Sequence, residues 1–193
     1  SIIGSAGSGK TSILRLIMLE KEKWVGSKPQ VYWLPLQGKI KLTEVQLLLV
    51  QMLKGRRYTE WQKLLQGRHV ILLLDNIGQL DKGERGLEVR SWLRQLLDNP
   101  YMTVQLVTTS KDPLEDIFKD DEFYEGSLLY DGMSEKIKLE PFTIEEAEQF
   151  ITKALRGTLV QFEDFLDLTK KSISPRDLRI ACRVRYDEVC ETR

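Results

Sequence analysis

The stretch Gly4-Ser5-Ala6-Gly7-Ser8-Gly9-Lys10-Thr11 matches the pattern G-x-x-x-x-G-K-[ST] at every position. Glycines give the backbone access to positive φ angles, so its N–H groups can approach phosphate oxygens. A helix that begins near Lys10 would add the favourable field of its N-terminus. Lys10 would place an ammonium on the β and γ phosphates, and Thr11 would offer a hydroxyl to Mg²⁺. The predicted nucleotide-binding residues here are Gly4, Ser5, Ala6, Gly7, Ser8, Gly9, Lys10, Thr11 and Ser12.

The flanks of this loop have the required local structure. Ile2 and Ile3 precede it as a buried strand would, and an apolar face with helical spacing follows it, which predicts a helix over 10–23. The alternative is a chance glycine turn in front of a helix. A strand, a glycine loop and an amphipathic helix in this order favour the phosphate site.

A second signal lies in the apolar run from Val70 to Leu74, which ends in Asp75. An unbroken apolar run predicts a central parallel strand covered on both faces. Ligands of such sheets bind at the carboxyl ends of the strands, so we predict that Asp75, with Thr11, holds Mg²⁺, largely through water. The alternative is a strand that ends in a turn-forming Asp-Asn pair.

Asn76 follows the predicted metal ligand, and its amide can hydrogen-bond a water but cannot remove a proton from it. Hydrolysis is therefore slow, or another carboxylate acts as the base. The candidates for that base are Glu44, Asp81 and Glu84. The predicted catalytic residues are Lys10, Asp75 and Asn76.

Two further side chains are predicted to reach the nucleotide. Thr109 ends a strand over 103–109 and would lie beside Asp75, where its hydroxyl could sense the γ phosphate; the alternative is a strand that simply ends in a turn. Arg176 opens the last helix and shares one face with Arg179 and Arg183. We predict that Arg176 reaches the γ phosphate. The alternatives are a solvated basic face and a nucleic-acid contact.

Strands and helices alternate over most of the chain, which predicts a parallel sheet with right-handed crossovers. The predicted strands are 1–3, 30–36, 69–75, 103–109 and 136–140; the predicted helical stretches before residue 120 are 10–23, 43–54, 58–66, 84–98 and 113–119. An acidic loop is predicted over 120–135. After residue 140 the pattern is helical: a capping box at Thr143 opens a helix to about residue 155, and further helices are predicted near 161–171 and from Ser174.

We therefore predict an α/β nucleotide-binding domain over 1–140 and a small helical lid over 141–193. The chain starts without Met, at a strand that lacks its first half. From this we expect a piece excised from a longer protein.

Composition excludes several classes of protein. The chain has 193 residues, of which 41% are hydrophobic and 30% charged, a balance typical of soluble globular domains. No apolar run approaches the roughly 20 residues that a membrane helix needs. Cys182, Cys190 and the single histidine, His69, suit neither a zinc site nor a disulfide scaffold, so we expect ordinary thiols in a reducing cytoplasm.

The net charge is zero, but it is unevenly spread. Residues 1–68 hold 12 basic and 4 acidic side chains, whereas residues 111–150 hold 4 basic and 13 acidic ones. The first stretch suits a polyanion, and the second repels one. The alternative is a pair of solvated faces of opposite sign.

Three stretches together carry a family resemblance: the strand end Leu73-Leu74-Asp75-Asn76, the segment Thr109-Ser110-Lys111-Asp112-Pro113-Leu114, and the step Leu139-Glu140-Pro141-Phe142-Thr143-Ile144-Glu145-Glu146-Ala147. With the glycine loop, they resemble P-loop ATPases of the AAA+ and STAND type, which include NACHT and NB-ARC domains. The likeness is closest to bacterial signal-transduction STAND ATPases. Two features depart from it: Lys111 stands where that family has Arg, and Ser174-Pro175-Arg176 looks more like the second sensor of AAA+ proteins.

The resemblance implies a three-layer P-loop NTPase sandwich with a five-stranded sheet in the order 5-1-4-3-2. It also implies ATP, ADP and Mg²⁺ as ligands, ATPase activity, and flanking sensor and effector domains; the low turnover that we expect follows from Asn76. The role it favours is a nucleotide-controlled switch in signalling or defence that forms a homo-oligomer with ATP. The alternatives are a DNA-linked AAA+ ATPase, such as a loader or transposition regulator, and a nucleotide-binding scaffold that never hydrolyses. The sequence does not identify an arginine finger from a neighbouring subunit, and Arg56 and Arg57 are no better candidates for it than other surface charges.

Overall fold

The computed structural model describes residues 1–23, 29–36, 40–119, 128–133, 135–170 and 173–191. Five strands occur in this part of the chain: β1 (Ile2–Gly4), β2 (Gln30–Trp33), β3 (His69–Leu74), β4 (Thr103–Ser110) and β5 (Ile137–Leu139). Its α-helices are α1 (Lys10–Glu20), α2 (Leu42–Met52), α3 (Trp61–Leu65), α4 (Glu84–Asp98), α5 (Leu114–Ile117), α6 (Ile144–Ala154) and α7 (Pro175–Glu191). Short 3₁₀ segments are Lys21–Lys23, Tyr58–Glu60, Ile77–Gln79, Leu129–Gly132 and Phe162–Thr169.

The strands form one sheet in the order β2-β3-β4-β1-β5, with helices on both sides. This is the predicted order 5-1-4-3-2 read from the opposite edge, so the predicted fold class is confirmed. Strand β3 pairs in parallel with both β2 and β4, and β1 pairs in parallel with β4. The register sets Leu74 opposite Thr108 and Ile2 opposite Thr109, so β1, β3 and β4 end at the same edge.

The middle of the sheet is the core of the fold. Every residue of β3 from Val70 to Leu74 is buried, as the apolar run predicts. Helices α2 and α4 contribute the buried side chains Val45, Leu49, Val89, Leu93 and Leu96 to the same cluster. Because strands β2 and β4 flank β3, and helices cover the sheet faces, Asp75 is held at the end of a rigid strand.

Some element boundaries differ from the sequence prediction. Strand β2 ends at Trp33 rather than at residue 36, although the Leu34 N–H still donates to the Leu73 carbonyl over 3.0 Å. The predicted loop over 120–135 contains the 3₁₀ turn Leu129–Gly132, whose Leu129 is buried. The remainder of that prediction, at 120–127 and 134, lies outside the described residues, as does residue 171 of the helix predicted near 161–171.

The chain divides into two compact units by its internal contacts. The first comprises Ser1–Gly4 and Lys10–Lys138 and contains most of the sheet. The second comprises Ser5–Gly9 and Leu139–Arg193. The predicted domain boundary after residue 140 stays a prediction.

The second unit is built from α6, α7 and the segment Phe162–Thr169, which is a 3₁₀ helix rather than the predicted α-helix. Its core residues are Ala147, Ile151, Val160, Phe165 and Leu178. The capping box predicted at the start of α6 is present: the Glu146 N–H donates to Thr143 Oγ1 over 3.2 Å, and the Thr143 N–H donates to Glu146 Oε2 over 2.9 Å. These bonds fix where α6 begins.

In the part of the chain that the structure describes, no helix has both the length and the apolar character needed to cross a bilayer.

Candidate nucleotide-binding site

The glycine loop has the backbone that its motif requires. Helix α1 begins at Lys10, as predicted, and strand β1 ends at Gly4, one residue beyond the predicted strand. Between them Gly7 has φ +82° and Gly9 has φ +97°, angles that glycine adopts readily and other residues rarely do. The Ser8 Oγ atom is buried and has no hydrogen-bond partner among the described residues. A loop that turns at two glycines and contains a buried hydroxyl without a partner, that of Ser8, suits an anionic ligand.

The two glycines have different surroundings. A Cβ added to Gly9 would meet nothing within 4 Å. A Cβ added to Gly7 would lie 2.9 Å from Arg176 Cβ and 3.2 Å from Ser174 Oγ. The Gly7 carbonyl also accepts a hydrogen bond from the Arg176 N–H over 3.2 Å. Within the second unit, then, Gly7 packs directly against the start of α7.

Lys10 lies at the start of α1, and its ammonium is close to strand β1. Its Nζ donates to the Gly4 carbonyl over 2.6 Å. Burial lowers the pKa of Lys10, and the negative charge of Asp75 raises it in part. A partly desolvated cation held beside a carboxylate is ready to exchange its carbonyl contact for a more strongly charged oxygen, such as that of a phosphate.

Thr11 and Asp75 meet at the same point of the first unit. Thr11 Oγ1 lies 2.9 Å from Asp75 Oδ2 and 3.2 Å from Asp75 Oδ1. A hydroxyl and a carboxylate are oxygen ligands of the kind that Mg²⁺ takes, and Mg²⁺ keeps several waters besides them. The residues present therefore fit the predicted metal. Elsewhere in the described ranges, no group of three or more His, Cys, Asp or Glu side chains could hold a metal ion.

Asp75 is further held by the neighbouring strand. Thr109 Oγ1 donates to Asp75 Oδ1 over 2.7 Å, and the Asn76 N–H donates to Thr109 Oγ1 over 2.7 Å. Thr109 is fully buried. Thr109 and Asp75 lie close together, as predicted. The Thr109 hydroxyl, however, donates its hydrogen bond to the Asp75 carboxylate. Contact of Thr109 with a nucleotide stays a prediction.

Asn76 is in the left-handed region, at φ +53° and ψ +47°. Neither this backbone geometry nor the hydrogen bond from the Asn76 N–H to Thr109 was predicted from the sequence. The Asp-Asn pair was the available signal, because Asn tolerates left-handed backbone better than most residues.

The candidate bases have local roles in the structure. Glu44 Oε2 accepts a hydrogen bond from the Lys41 N–H over 2.8 Å, which commits Glu44 to capping α2. Glu84 is the first residue of α4 and is exposed, and Asp81 is half-buried just before it. The structure does not single out any of these three as a base.

The other predicted contributors are exposed. Arg176, Arg179 and Arg183 are exposed on α7, and Ser5, Ala6 and Ser12 are exposed near the glycine loop. Ser174 caps α7: the Asp177 N–H donates to its Oγ over 3.1 Å. Cys182 and Cys190 are free thiols, as expected, and His69 is half-buried at the start of β3.

Comparison with solved structures identifies the fold. The chain has a TM-score of 0.70 to the ORC2 protein of Aeropyrum pernix, solved as ADPNP-ADP complexes, with 14% identity over 97% of this chain and 56% of that one. It has a TM-score of 0.65 to Cdc6p of Pyrobaculum aerophilum, with 17% identity over 100% of this chain and 56% of that one. For the Aeropyrum pernix ORC1 protein in complex with DNA, the TM-score is 0.63, with 14% identity over 97% and 54%. No family model matches the chain, and neither does any curated protein sequence.

These similarities support the α/β P-loop fold with a five-stranded parallel sheet. The chain spans a little over half the length of each of these structures. At these identities the likeness carries the fold alone.

Proposed function

We propose that this chain is a Mg²⁺-dependent, ATP-binding AAA+ module that hydrolyses ATP slowly. The observation that carries the proposal is the pairing of Thr11 with Asp75 over 2.9 Å, where Thr11 follows in the sequence a loop that turns on two positive-φ glycines. A phosphate loop and a carboxylate at the end of a buried strand are the two parts that phosphoryl-transfer sites of this class need. The ADPNP-ADP complexes named for the Aeropyrum pernix ORC2 protein support the same ligand class.

Each residue has a role in holding the triphosphate. The Lys10 ammonium leaves the Gly4 carbonyl and binds phosphate oxygens, which are stronger acceptors because they are charged. The N–H groups of the loop and of the first turn of α1 donate to the phosphates. Thr11 and Asp75 would hold Mg²⁺, which would neutralise part of the charge on the phosphate oxygens. Thr109 orients Asp75 by donating a hydrogen bond to its Oδ1.

Slow turnover follows from the residue after Asp75. The Asn76 amide can orient a water but cannot accept its proton. Its backbone N–H is already bonded to Thr109, so the residue is fixed in place. We infer hydrolysis slower than about one turnover per second, the lower end of ordinary enzymes.

The role that the site supports is a nucleotide-controlled switch. Within the second unit, the Gly7 carbonyl of the glycine loop accepts a hydrogen bond from the Arg176 N–H over 3.2 Å. A ligand that contacts the motif and Arg176 differently with ATP and ADP would shift a conformational equilibrium. The STAND subtype, assembly into a homo-oligomer with ATP, flanking sensor and effector domains, and a cytoplasmic site of action are parts of this proposal.

The experiment is a titration with a fluorescent ATP analogue, with Mg²⁺ and with EDTA, alongside a phosphate-release assay. Lys10→Ala should weaken binding on the order of a hundredfold and abolish turnover, because the charge on the phosphates is lost. Lys63→Ala is the matched control, since Lys63 is also a lysine of the first unit, is exposed on α3 and is not among the predicted site residues. Equal affinity in the two variants would overturn the proposal. Tight binding of the ATP analogue without any phosphate release would instead indicate a nucleotide-binding scaffold that does not hydrolyse ATP.

A DNA-linked AAA+ ATPase is the second candidate. The fold is shared with the Aeropyrum pernix ORC1 protein, which was solved in complex with DNA, and three exposed arginines follow one another on α7. This function predicts turnover that rises with duplex DNA, and a rise that falls steeply with salt because phosphate contacts release counterions. Turnover unaffected by DNA at low salt would exclude it.

A further inference from the structure

The second unit contains a small apolar cavity that the proposed nucleotide site does not use. Its volume is about 260 Å³. Its lining includes Ile151 and Ala154 of α6, Phe165 of the 3₁₀ segment Phe162–Thr169, and Arg179, Cys182 and Arg183 of α7. Cavities that enclose a drug-sized ligand have roughly 300–1,000 Å³. This one is smaller, so it suits a single apolar side chain better than a cofactor.

The floor of the cavity is apolar and rigid. Ile151 and Phe165 are 0% and 1% exposed and belong to the core of the unit. Cys182 is half-buried, and burial raises the pKa of its thiol. A neutral thiol and packed hydrocarbon do not stabilise a charged group. They favour an apolar side chain, because its contact with them removes apolar surface from water.

The rim of the cavity is basic and available. Arg179 and Arg183 are exposed and form no ion pair with the described residues. Their neighbour Arg185 differs, because its guanidinium pairs with Asp167 over 2.9 Å and with Glu188 over 3.2 Å. Among the described residues, Arg185 therefore has ion-pair partners, whereas Arg179 and Arg183 at the cavity have none.

We propose that this cavity is a docking site for an acidic segment of a partner protein. The segment inserts one side chain of leucine or phenylalanine size and places flanking carboxylates on Arg179 and Arg183. Charge complementarity supports the choice, since guanidinium groups bind carboxylates through two parallel hydrogen bonds. A nucleic-acid backbone would satisfy the arginines but would leave the apolar floor uncovered, so a protein segment is favoured.

The test measures fluorescence anisotropy with three short labelled peptides and the full chain. One peptide carries a central Phe flanked by Asp and Glu, the second replaces Phe by Ser, and the third replaces the acids by Asn and Gln. The first should bind about tenfold more tightly than either of the others, because only it engages both the floor and the rim. Binding of the first peptide should weaken as salt is raised.

Variants of the rim and the floor separate the two contributions. The double variant Arg179→Ser with Arg183→Ser should weaken the first peptide about tenfold. The matched control Lys153→Ser removes a charge from an exposed position of α6 that does not line the cavity, and should change affinity by less than about twofold. Ala154→Phe fills the cavity from its exposed edge and should also abolish the advantage of the Phe anchor. Circular dichroism melting of each variant establishes that it is folded.

Three results would overturn the proposal. The first is equal binding of the Phe and Ser peptides by a folded chain. The second is a labelled DNA duplex that binds more tightly than the first peptide and is lost in the arginine double variant, which would assign the rim to nucleic acid. The third is a concentration-dependent mass in solution that disappears in the double variant, because the occupant would then be a second copy of this chain.

Discussion

The cluster at the ends of β3 and β4 and the basic face of α7 hold their polar groups in opposite ways. In the first, Thr11, Asp75 and Thr109 are at least half-buried and bonded to one another. In the second, Arg179 and Arg183 are exposed and have no ionic partner among the described residues. The fold therefore sets the geometry of the first region before any ligand arrives, whereas only a ligand can order the second. Substitutions should change stability and binding together in the first region and binding alone in the second.

The largest expected effect tests the cluster through its carboxylate. Asp75→Ala removes the group that Thr11 and Thr109 both contact, and with it the oxygen donor proposed for Mg²⁺. Mg²⁺-dependent ATP turnover should fall about a thousandfold. Phosphate release at saturating ATP is the measurement. Asp116→Ala, which removes an exposed carboxylate from α5, is the control and should retain turnover. Equal losses in both would mean that Asp75 acts through stability alone.

The next effect concerns the glycine loop. Gly7→Ala and Gly157→Ala both place a Cβ on a residue of the second unit with positive φ, at +82° and +80°. Backbone strain should cost each about 1 kcal/mol. The Cβ at position 7 also lies 2.9 Å from Arg176 Cβ, whereas position 157 is open. Overcrowding should cost Gly7→Ala roughly 1–3 kcal/mol more in the free energy of unfolding.

Urea unfolding of both glycine variants measures that difference. If Gly7→Ala and Gly157→Ala have the same midpoint, the contact between Gly7 and the start of α7 does not stabilise the chain.

How far the sequence predicts this molecule depends on the range of the interaction. The glycine loop, the apolar run of β3 and the capping box at Thr143 are local patterns, and the structure contains all three. That Asp75 and Thr109 meet was also predictable, because parallel strands end at one edge of a sheet. The strand order came from the family resemblance rather than from any local pattern.

Interactions that depend on tertiary packing were not predictable. Nothing near Gly7 in the sequence indicates its contact with Arg176, because the two lie at opposite ends of the chain. The segment Phe162–Thr169 has an amphipathic pattern that also suits an α-helix, and it is 3₁₀ in the structure. The left-handed backbone of Asn76 directs its N–H to Thr109 Oγ1 on the neighbouring strand β4. The periodicity of the sequence does not predict this hydrogen bond.

A smaller effect separates two adjacent hydroxyls. Thr108 and Thr109 are both fully buried, but Thr109 Oγ1 has two hydrogen bonds whereas Thr108 Oγ1 has none among the described residues. Thr109→Val should destabilise the chain by about 1–3 kcal/mol, because Asp75 and the Asn76 N–H lose a partner. Thr108→Val should be neutral or stabilising, since it removes an unsatisfied buried group. Thermal unfolding of the two variants measures this difference. If both lose the same stability, the burial of the threonine rather than its hydrogen bonds determines the effect.

The smallest effect tests what Asn76 contributes to the reaction. Asn76→Glu supplies a carboxylate where the amide stands, and we expect that it does not reduce turnover. Its stability should fall by up to about 1 kcal/mol, because φ +53° suits Asn better than Glu. Asn76→Gly is the matched control: it tolerates the same φ and keeps the N–H that Thr109 accepts, but it has no side chain. Single-turnover phosphate release separates chemistry from binding. If both variants lose turnover sharply while remaining folded, the Asn76 amide itself orients the attacking water, and slow hydrolysis would no longer follow from the lack of a base at this position.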